Sequence, residues 1–501
     1  MSRSASRAPL TLVRLDARSG SPLHRQIYDG LRDAIVAGRL APGAQIAPAR
    51  LIAAELAVSR ETVSAALAQL RAEGYVEMRE RSGTFVSTSI PDDLLTIHRR
   101  RVGAALPAIT GAARARVQAP LVRREAVFGD ARRLAGRGAP VRPFRTGLPA
   151  VEAFPWDVWA RIISRRLKRS GRLLADYGDS RGFGPLRAAV AEYVAAARGV
   201  VCTAQQVIIT NGAQQALDLV ANLLLVPGDD VWVEDPGYPG VRRTLAAAQA
   251  QIVPIPVDAD GISVTEGQRR APLARMVYVT PSSQFPLGVT MSLARRLELL
   301  RWARETGAWV IEDDYDSEFR YSSRPISSLQ GLSEGSPVIY VGTFSKTMFP
   351  SLRVGYLIAP RELIEPLAES RFTVDRHGPS LEQSALADFI TEGHLPRHVR
   401  RMRVLYESRR DALIRAVDDL APDVLELGSS DAGMKILAWL PPAAVDRTIA
   451  ARGEAERLEL TPLSDYAIAR QPRGGLLLGY AAFRPTAIRQ GIRTLADILR
   501  P

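Results

Sequence analysis

Lysine is rare in this chain, and the few lysines are the first residues to consider as chemically active groups. Of the 66 lysine and arginine residues, only Lys168, Lys346 and Lys435 are lysines. A neutral lysine amine can form an imine with an aldehyde, whereas arginine stays protonated near neutral pH. Lys168 lies between arginines in a pattern typical of a solvated helix face. Lys346 is therefore the leading candidate for chemistry with an aldehyde.

The residues around Lys346 indicate which aldehyde it binds. The apolar run 338–341 predicts a buried strand, Thr343 and Ser345 supply hydroxyls, and Arg353 follows seven residues after the lysine. Hydroxyls and an arginine can hold a phosphate group while the lysine holds an aldehyde, as pyridoxal 5'-phosphate requires. We predict that Lys346 is the catalytic residue; the alternative is a strand end with an incidental lysine.

A second phosphate-binding element is predicted upstream of Lys346. The strand 207–210 is followed by Gly212, Ala213 and Gln214, which open a helix. Backbone N–H groups at a helix N-terminus form an anion site together with the helix dipole. Such a turn is a weak motif alone, but with Lys346 downstream it indicates a phosphate cup.

Two further strand ends carry groups suited to a pyridine ring. Asp313 and Tyr315 follow the strand 309–311 and, being two residues apart in an extended segment, project to the same side. A buried carboxylate keeps a ring nitrogen protonated, and a phenol can bond a ring hydroxyl. The adjacent Asp314 is the alternative carboxylate. Tyr238, at the end of another strand, is predicted to stack on the ring.

The composition limits the classes of protein. With 501 residues, of which 46% are hydrophobic and 24% charged, the chain is expected to fold into at least two domains. The single cysteine, Cys202, excludes an internal disulfide, and neither the five histidines nor the acidic cluster around Asp313 shows a metal-ligand set. No metal is predicted. No apolar run reaches membrane-spanning length, so we expect a cytoplasmic protein without membrane contact.

The net charge of +13 is unevenly distributed and indicates an acidic partner. Residues 1–145 hold 24 arginines against 12 acidic residues, so +12 of the charge lies there. Nucleic acid is the expected partner of such a region. Residues 89–143 are rich in Arg, Ala and Pro, which predicts a flexible linker whose arginines could also contact phosphates.

Residues 1–88 show the pattern of a DNA-binding domain. Helices are predicted over about 22–37, 49–56 and 60–73, and the tight turn between the last two has the helix-turn-helix spacing. Two short strands within 74–86 complete a winged helix, whose third helix can enter the major groove of double-stranded DNA. The residues predicted to contact DNA are Arg50, Ser59, Arg60, Thr62, Ser64, Arg79, Arg81 and Gly83.

Five segments carry the most specific pattern in the chain. They are Ser59-Arg60-x-Thr62-Val63, Gly212-Ala213-Gln214-Gln215, Asp235-Pro236-Gly237-Tyr238, Glu312-Asp313-Asp314-Tyr315-Asp316 and Thr343-Phe344-Ser345-Lys346-Thr347. Together they resemble the MocR subgroup of the GntR family of transcriptional regulators. The resemblance implies an α/β protein with a winged helix-turn-helix domain (1–88), a linker (89–143) and an aminotransferase-like domain of PLP fold type I with a mostly parallel sheet (144–501).

The resemblance also implies roles for individual residues. Lys346 would form the Schiff base with pyridoxal 5'-phosphate. Tyr177 would reach the cofactor of the partner subunit in a homodimer, and the two winged helices would bind operator half-sites. The phosphate would be held by Thr343, Ser345, Arg353, Gly212, Ala213 and Gln214.

The chain departs from this family where a substrate would be bound. Aminotransferases of this fold usually bind the substrate carboxylate with an arginine on the C-terminal strand, but the position near Leu477 is apolar here. Related chains often have asparagine at Thr280. Loss of a charge-assisted bond costs about 1.5–3 kcal/mol, or roughly tenfold to a hundredfold in binding. The predicted effector contacts are Ser283, Lys435, Arg473 and Arg484. Regulators of the subgroup often have histidine at the positions of Ser283 and Lys435.

These observations predict a DNA-binding transcriptional regulator that depends on pyridoxal 5'-phosphate. It would sense a small amine, an amino acid or the cofactor itself, without efficient turnover. One alternative is an active aminotransferase with an accessory DNA-binding domain. The other is a DNA-binding protein whose large domain is a cofactor-free dimerisation scaffold, which would leave Lys346, Asp313, Tyr315 and Arg353 unexplained.

Overall fold

The computed structural model of the chain describes residues 13, 15–16, 19–79, 83–88, 141–172, 174–321, 327–332, 337–469 and 471–500. The chain divides into two compact units, Met1–Val117 and Gln118–Pro501. The division falls within the predicted linker 89–143, and residues 89–140 of that linker lie outside the described residues.

The first unit contains three helices followed by a two-stranded hairpin. Its elements are α1 (Leu23–Val36), α2 (Ala49–Glu55), α3 (Arg60–Ala72), β1 (Val76–Arg79) and β2 (Gly83–Val86). The two strands are antiparallel, with Val76 opposite Val86. The predicted winged helix-turn-helix is confirmed, with element ends within two residues of those expected.

Apolar residues at helical spacing build the core of this unit. Ile27 and Leu31 of α1 are buried together with Val63 and Leu70 of α3. Residues three, four and seven apart share one face of a helix, so each helix presents a continuous apolar stripe to the other. This packing fixes the orientation of α3, the helix predicted to meet DNA.

The starts of α2 and α3 are stabilised differently. Ser59 caps α3, because its hydroxyl accepts a hydrogen bond of 3.1 Å from the backbone N–H of Thr62. Serine is a preferred residue at this position, and such caps contribute about 1 kcal/mol. Pro48 precedes α2 and makes no side-chain cap bond.

The second unit is built on an eight-stranded central sheet. Its strands are β3 (Val207–Thr210), β4 (Asp230–Asp235), β5 (Gln251–Asp258), β6 (Gly261–Ile262), β7 (Met276–Val279), β8 (Trp309–Asp314), β9 (Val338–Thr343) and β10 (Gly355–Ile358). They are ordered β3-β10-β9-β8-β7-β4-β5-β6. Strands β4, β5, β7, β8 and β9 are parallel, whereas β10 is antiparallel to both neighbours and β6 to β5. The mostly parallel sheet confirms the predicted fold class.

Helices cover both faces of the central sheet. They are α4 (Trp156–Ser170), α5 (Gly184–Arg198), α6 (Ala213–Leu224), α7 (Pro239–Ala247), α8 (Val264–Arg270), α9 (Leu293–Thr306), α10 (Arg361–Asp375) and α11 (Ser380–Thr391). Strands β3, β7 and β10 are buried throughout, as expected for a sheet with two covered faces. The carboxyl ends of the parallel strands then meet at one edge, where polar residues follow them.

A smaller antiparallel sheet forms the C-terminal part of this unit. Its strands are β11 (Glu426–Leu427), β12 (Lys435–Trp439), β13 (Thr461–Pro462) and β14 (Gly475–Gly479), ordered β11-β12-β14-β13. The remaining helices, α12 (His394–Leu420), α13 (Asp446–Ala455) and α14 (Pro485–Leu499), share a core with it.

The two faces of the smaller sheet have different neighbours. On one face, the even-numbered residues of β12 and β14 pack into the core with the helices. On the other face, Leu437 and Leu477 pack against Phe285 of the central-sheet part. Lys435 lies two residues before Leu437, so its side chain belongs to this second face.

Within the described ranges, no helix is long and apolar enough to cross a lipid bilayer. The same residues contain no group of three or more histidine, cysteine, aspartate or glutamate side chains that could hold a metal ion.

Candidate functional site

Lys346 lies in the turn between β9 and β10, at the carboxyl edge of the central sheet. Its Nζ donates a hydrogen bond of 2.8 Å to the backbone oxygen of Gly147. Gly147 has a φ of +74°, and a Cβ atom at this position would lie 2.7 Å from the Lys346 amine. Any larger residue at position 147 would therefore displace the Lys346 amine. Sequence reasoning did not select Gly147, although the turn at Thr146-Gly147-Leu148-Pro149 was a signal for it.

The surroundings of Lys346 keep a useful fraction of its amine neutral. Burial is the main cause that lowers the pKa of Lys346 from 10.5 to about 8. Asp316 and Asp313 raise this pKa, whereas Lys435 and Arg353 lower it. Near neutral pH, roughly a tenth of the amine is then unprotonated, the form that attacks an aldehyde.

Asp313, at the end of β8, presents a carboxylate oxygen that nothing in the described part of the chain satisfies. Its Oδ2 accepts a hydrogen bond of 2.7 Å from the Tyr278 hydroxyl, but its buried Oδ1 has no partner there. Burial raises the pKa of Asp313 to about 7. A buried carboxylate with one unpartnered oxygen suits a protonated ring nitrogen, since that cation would supply both a hydrogen bond and a charge.

Asp314 points to the other side of β8. Its Oδ2 accepts hydrogen bonds from Arg198 Nε at 2.6 Å and from the Tyr340 hydroxyl at 2.5 Å. Asp314 also has a buried Oδ1 without a partner among the described residues, but its charge is already balanced by the buried ion pair with Arg198. Of the two adjacent carboxylates, the geometry therefore favours Asp313 as the partner of a ring nitrogen.

Tyr315 links the central-sheet part of the site to the smaller sheet. Its hydroxyl donates to the backbone oxygen of Ser283 at 2.9 Å and accepts from Lys435 Nζ at 3.0 Å. The phenol has one proton, and this proton is already donated to the backbone oxygen of Ser283. Tyr315 could bond the ring hydroxyl of a cofactor only as an acceptor in this arrangement. The contact with Lys435 was not predicted, since it depends on the packing of two distant segments.

The predicted phosphate-binding residues meet at the N-terminus of α6. Gly212 has a φ of +93°, and Arg353, itself at a φ of +53°, donates from Nη2 to the backbone oxygen of Asn211 at 2.8 Å. Ser345 donates its backbone N–H to Thr343 Oγ1 at 3.2 Å. The helix start and the Arg353 guanidinium therefore lie together, and Thr343 and Ser345 add two hydroxyls that contact each other at 3.1 Å. These are the kinds of donor that a phosphate requires.

Strand β10 explains why these distant segments meet. Gly355 pairs with Thr210 at the end of β3 and with Thr343 at the end of β9. A Cβ atom on Gly355 would lie 2.8 Å from the Cα of Gly212. The antiparallel strand thus aligns the helix start with the lysine turn at close backbone distance.

The side chains of Gln214 and Tyr238 contact each other and do not line an open space. The Gln214 amide donates to Thr244 Oγ1 at 2.6 Å, and its oxygen accepts from the Tyr238 hydroxyl at 3.4 Å. The Gln214 side chain is thereby used, so its contribution to an anion would come from the backbone N–H, as for Ala213. The Tyr238 ring lies edge-on to Phe285, with centroids 5.8 Å apart.

Tyr177 lies on the surface of the second unit. Its side chain is 75% exposed, and the Arg376 guanidinium lies 4.8 Å from its ring centroid. An exposed tyrosine of this kind is available to another molecule. The structure places it among surface residues such as His377 rather than in the Lys346 pocket of its own chain.

The four predicted effector contacts are not brought together. Ser283 and Lys435 are buried beside Tyr315. Arg473 lies beyond the opposite end of β12, where it donates to the backbone oxygen of Leu440 at 2.6 Å and to Glu426 at 2.5 Å. Those bonds fix Arg473 to the edge of the smaller sheet. Arg484 is exposed at the start of α14.

A buried carboxylate that sequence reasoning did not single out also borders the site. Glu234 lies near the end of β4. It accepts a hydrogen bond of 3.1 Å from the backbone N–H of Thr280 and one of 2.6 Å from the Thr280 hydroxyl. Burial raises the pKa of Glu234 to about 7. Thr280 is therefore engaged with Glu234. An acidic residue in the otherwise apolar run Val231-Trp232-Val233 was the available signal.

The residues predicted to contact DNA lie mainly on the exposed side of α3 and on the hairpin. Arg60 and Ser64 are exposed, and Arg50 is exposed on α2. Ser59 and Thr62 bond each other through their hydroxyls at 2.8 Å. Their remaining acceptor and donor capacity is still open to a phosphate.

The hairpin residues differ in how free they are. Arg79 donates to Glu77 at 2.6 Å and stacks over Phe85 at 4.7 Å from the ring centroid. To bind a phosphate, Arg79 would have to break this exposed ion pair, which contributes little net free energy. Gly83 is exposed with a φ of +106°. Arg81 lies outside the described residues.

Comparison with known proteins identifies both units. Residues 23–86 match the family of bacterial regulatory proteins of the gntR type, and residues 151–471 match the aminotransferase class I and II family. The chain is 39% identical over 481 residues to the probable rhizopine catabolism regulatory protein MocR of Rhizobium meliloti, covering 96% of this chain and 94% of that protein.

Solved structures agree with the fold of the second unit. A multiple substrate aminotransferase from Thermococcus profundus superimposes with a TM-score of 0.68 at 29% identity, covering 74% of this chain and 94% of that one. LysN, an α-aminoadipate aminotransferase from Thermus thermophilus complexed with N-(5'-phosphopyridoxyl)-L-leucine, gives 0.67 at 29% identity, covering 78% and 97%.

Pyridoxal 5'-phosphate is the cofactor of this class of fold, which confirms the cofactor predicted from the sequence. The residues present here fit it, since the unpartnered Oδ1 of Asp313, the amine of Lys346 and the helix start at Gly212 are the three groups that its ring, aldehyde and phosphate need. The chain belongs to the MocR subgroup of the GntR family of transcriptional regulators.

Proposed function

We propose that this protein controls transcription through a pyridoxal 5'-phosphate site at Lys346 that senses a small amine, an amino acid or the cofactor itself. The observation that carries the proposal is the pairing of a partly neutral lysine amine with a buried carboxylate that has an unpartnered oxygen. Buried ionisable groups without full partners are costly in a core, and a cofactor with an aldehyde and a ring nitrogen would supply a partner for each of the two.

The chain's own residues have separate tasks in this site. Lys346 binds the aldehyde, and Asp313 holds the proton on the ring nitrogen. Arg353, Thr343 and Ser345 bind the phosphate with the N-terminus of α6. When bound, the cofactor supplies a carbonyl group that condenses reversibly with primary amines.

We infer that the protein acts as a homodimer in the cytoplasm, with one winged helix on each operator half-site. The exposure of Tyr177 leaves it available to a partner subunit, and the position of Arg60 and Ser64 at the exposed start of α3 supports major-groove binding. A small molecule that binds one arrangement of the large units more tightly would change the spacing of the DNA-binding units.

Visible absorbance of the purified protein tests the proposal. The wild-type protein with added cofactor should show a band that Lys346→Ala abolishes and that Lys168→Ala, the matched loss of an exposed lysine, retains. The band should shift when the effector amine is added, and the affinity for operator DNA should change at the same concentration.

Analysis of the products separates the regulator from an aminotransferase. A shifted band without accumulation of an oxo-acid supports sensing, whereas many turnovers to an oxo-acid would identify an enzyme. No band in the wild-type protein, even with excess cofactor, would contradict the proposal and leave the scaffold alternative.

A further inference from the structure

The last two turns of α10 carry an ion pair whose arginine is fully buried. Arg371 donates from Nε to Asp375 Oδ1 at 2.6 Å, four residues further along the helix. Its Nη1 donates to the backbone oxygen of Ile209 in β3. Strand β3 leads directly into the turn before α6, so the Arg371 guanidinium joins α10 to that strand and fixes the carboxylate of Asp375.

The second oxygen of Asp375 binds the turn itself. Oδ2 accepts hydrogen bonds of 2.7 Å from the side-chain amides of Asn211 and Gln215. The side-chain oxygen of Gln215 in turn accepts the backbone N–H of Asn211 at 2.8 Å. One carboxylate therefore holds both the side chain and the backbone of Asn211, the first directly and the second through Gln215.

Asn211 connects this network to the predicted phosphate site. Its backbone oxygen accepts the bond of 2.8 Å from Arg353 Nη2, and the next residue is Gly212 at the start of α6. A shift of Asn211 would therefore move both the Arg353 guanidinium and the first N–H groups of the helix. An ionised carboxylate has no donor, so Asp375 can act on a phosphate only through these neighbours.

Gly378 allows the network to pack closely. It is buried, and a Cβ atom at this position would lie 2.7 Å from Asn211 Oδ1 and 3.3 Å from Arg371 Nη2. That Nη2 has no partner in the part of the chain that the structure describes. The position of the guanidinium is thus determined by the bonds of its other two nitrogens, to Asp375 and Ile209, and these bonds cannot be replaced by water in a closed core.

We propose that Asp375, held by Arg371, is a positioning residue for the phosphate of the cofactor. It fixes Asn211, so that the Arg353 guanidinium and the start of α6 are in place before the phosphate binds. The inference rests on the proposed function, because it takes the phosphate to be bound by these two elements. Groups that are already in place spend less free energy on being ordered when the ligand binds, so the network increases affinity for the phosphorylated cofactor.

Titrations of the full-length, cofactor-free protein with pyridoxal 5'-phosphate and with pyridoxal test this inference. Both compounds carry the aldehyde that Lys346 binds, and the ratio of their affinities, measured by visible absorbance, isolates the contribution of the phosphate. Asp375→Asn keeps the size of the side chain but replaces an acceptor oxygen by a donor, so at least one of the bonds that Asp375 accepts is lost. Affinity for pyridoxal 5'-phosphate should fall about tenfold or more, while affinity for pyridoxal should stay within about threefold.

Two further variants identify the path. Glu369→Gln removes the same charge from the exposed side of α10 and should leave the ratio unchanged. Asn211→Ala removes the amide that Asp375 binds and keeps the backbone oxygen that Arg353 uses, so it should lower the ratio as Asp375→Asn does. The double variant should be no worse than the weaker single variant, because both substitutions interrupt one path.

The outcomes separate positioning from charge and from stability. A direct effect of charge has the opposite sign, since loss of a carboxylate would strengthen the binding of an anion. An unchanged or increased ratio in Asp375→Asn would therefore overturn the inference, as would an equal loss of affinity for both aldehydes. Equal binding of the two aldehydes by the wild-type protein would instead contradict the phosphate site of the proposed function.

Discussion

At the scale of the residue, the fate of one proton decides whether Lys346 can react. The amine would carry a full charge in water near neutral pH, but its burial next to Lys435 and Arg353 makes that charge less favourable. Asp316 and Asp313 limit the effect, so the pKa stays near 8 rather than falling further. The opposed charges therefore hold the amine in exchange between its two forms under physiological conditions.

This balance predicts the pH dependence of cofactor binding. Because only the neutral amine attacks the aldehyde, the rate at which the cofactor-free protein binds pyridoxal 5'-phosphate should rise about tenfold per pH unit below pH 8 and level off above it. Stopped-flow absorbance measures this rate. In Lys435→Met, which removes a nearby positive charge, the midpoint should move to higher pH; a midpoint that does not move would show that Lys435 has no effect on Lys346.

The sequence predicts single residues well where the signal is local. Lys346 and Asp313 directly follow apolar strand segments. Lys346 stands out because lysine is scarce in the chain, and Asp313 stands out because it is charged. The roles of Lys435 and Arg473 could not be separated in this way, since they depend on the register of β12 with β14. Lys435 pairs with Gly479 and Trp439 with Gly475, so Arg473 falls at the far end of the strand pair. A pattern in one strand does not reveal which end of its neighbour it meets.

At the scale of the element, the start of α6 combines the predicted anion site with a backbone conformation that only glycine adopts readily. Gly212 has a φ of +93° and a ψ of 169°, and a Cβ atom there would lie 2.9 Å from Arg353 Nη2. The sequence predicted this helix start, because a glycine after a buried strand is a recognisable signal. It did not predict the contact with Arg353, which β10 brings in from the far side of Lys346.

Gly212→Ala should therefore weaken cofactor binding beyond its effect on stability. Backbone strain at such a φ should lower the free energy of unfolding by about 1–3 kcal/mol. Displacement of Arg353 should in addition lower the affinity for the cofactor by about tenfold to a hundredfold. Gly228→Ala is the matched control, since Gly228 has a φ of +97° and a Cβ atom there would meet no described atom within 4 Å. Equal cofactor affinity in both variants, measured by absorbance titration, would contradict the role of Arg353 at this helix start.

The cap of α3 gives a second prediction at this scale. Ser59→Ala removes the hydrogen bond to the Thr62 N–H, worth about 1 kcal/mol, so amide exchange within α3 should become roughly fivefold faster. Arg60→Ala leaves the cap intact and should lower DNA affinity without changing exchange. Hydrogen-exchange mass spectrometry and DNA titration of the full-length protein measure the two effects. Faster exchange in Arg60→Ala would mean that this arginine stabilises the helix instead.

At the scale of the whole molecule, charge and chemistry occupy different parts of the chain. Residues 1–145 carry +12 of the net +13, whereas the predicted cofactor-binding residues all belong to the nearly neutral remainder. DNA affinity should therefore depend strongly on salt, while cofactor binding should not. This division was evident in the sequence. The arrangement of the smaller sheet against the larger one was not, because it depends on contacts between residues more than a hundred positions apart.

The arginines of the linker provide the test at this scale. We expect that glutamine at Arg99, Arg100, Arg101, Arg123, Arg124, Arg132 and Arg133 will reduce the slope of log affinity for operator DNA against log salt, by about 0.9 for each phosphate that these arginines neutralise. The linker keeps its length in this variant, so the reach between half-sites does not change. Glutamine at Arg269 and Arg270 of α8 is the control. An unchanged slope would assign the linker to tethering alone.

Strand β10 has a consequence for where movement can occur. Because Gly355 pairs with both Thr210 and Thr343, the predicted phosphate cup and the lysine turn cannot separate without breaking strand pairs at the β3-β10-β9 end of the central sheet. The pocket is therefore a fixed frame with few internal degrees of freedom. We therefore expect a bound effector to cause movement outside this frame, in the smaller sheet, which is joined to the pocket through Lys435 and Tyr315.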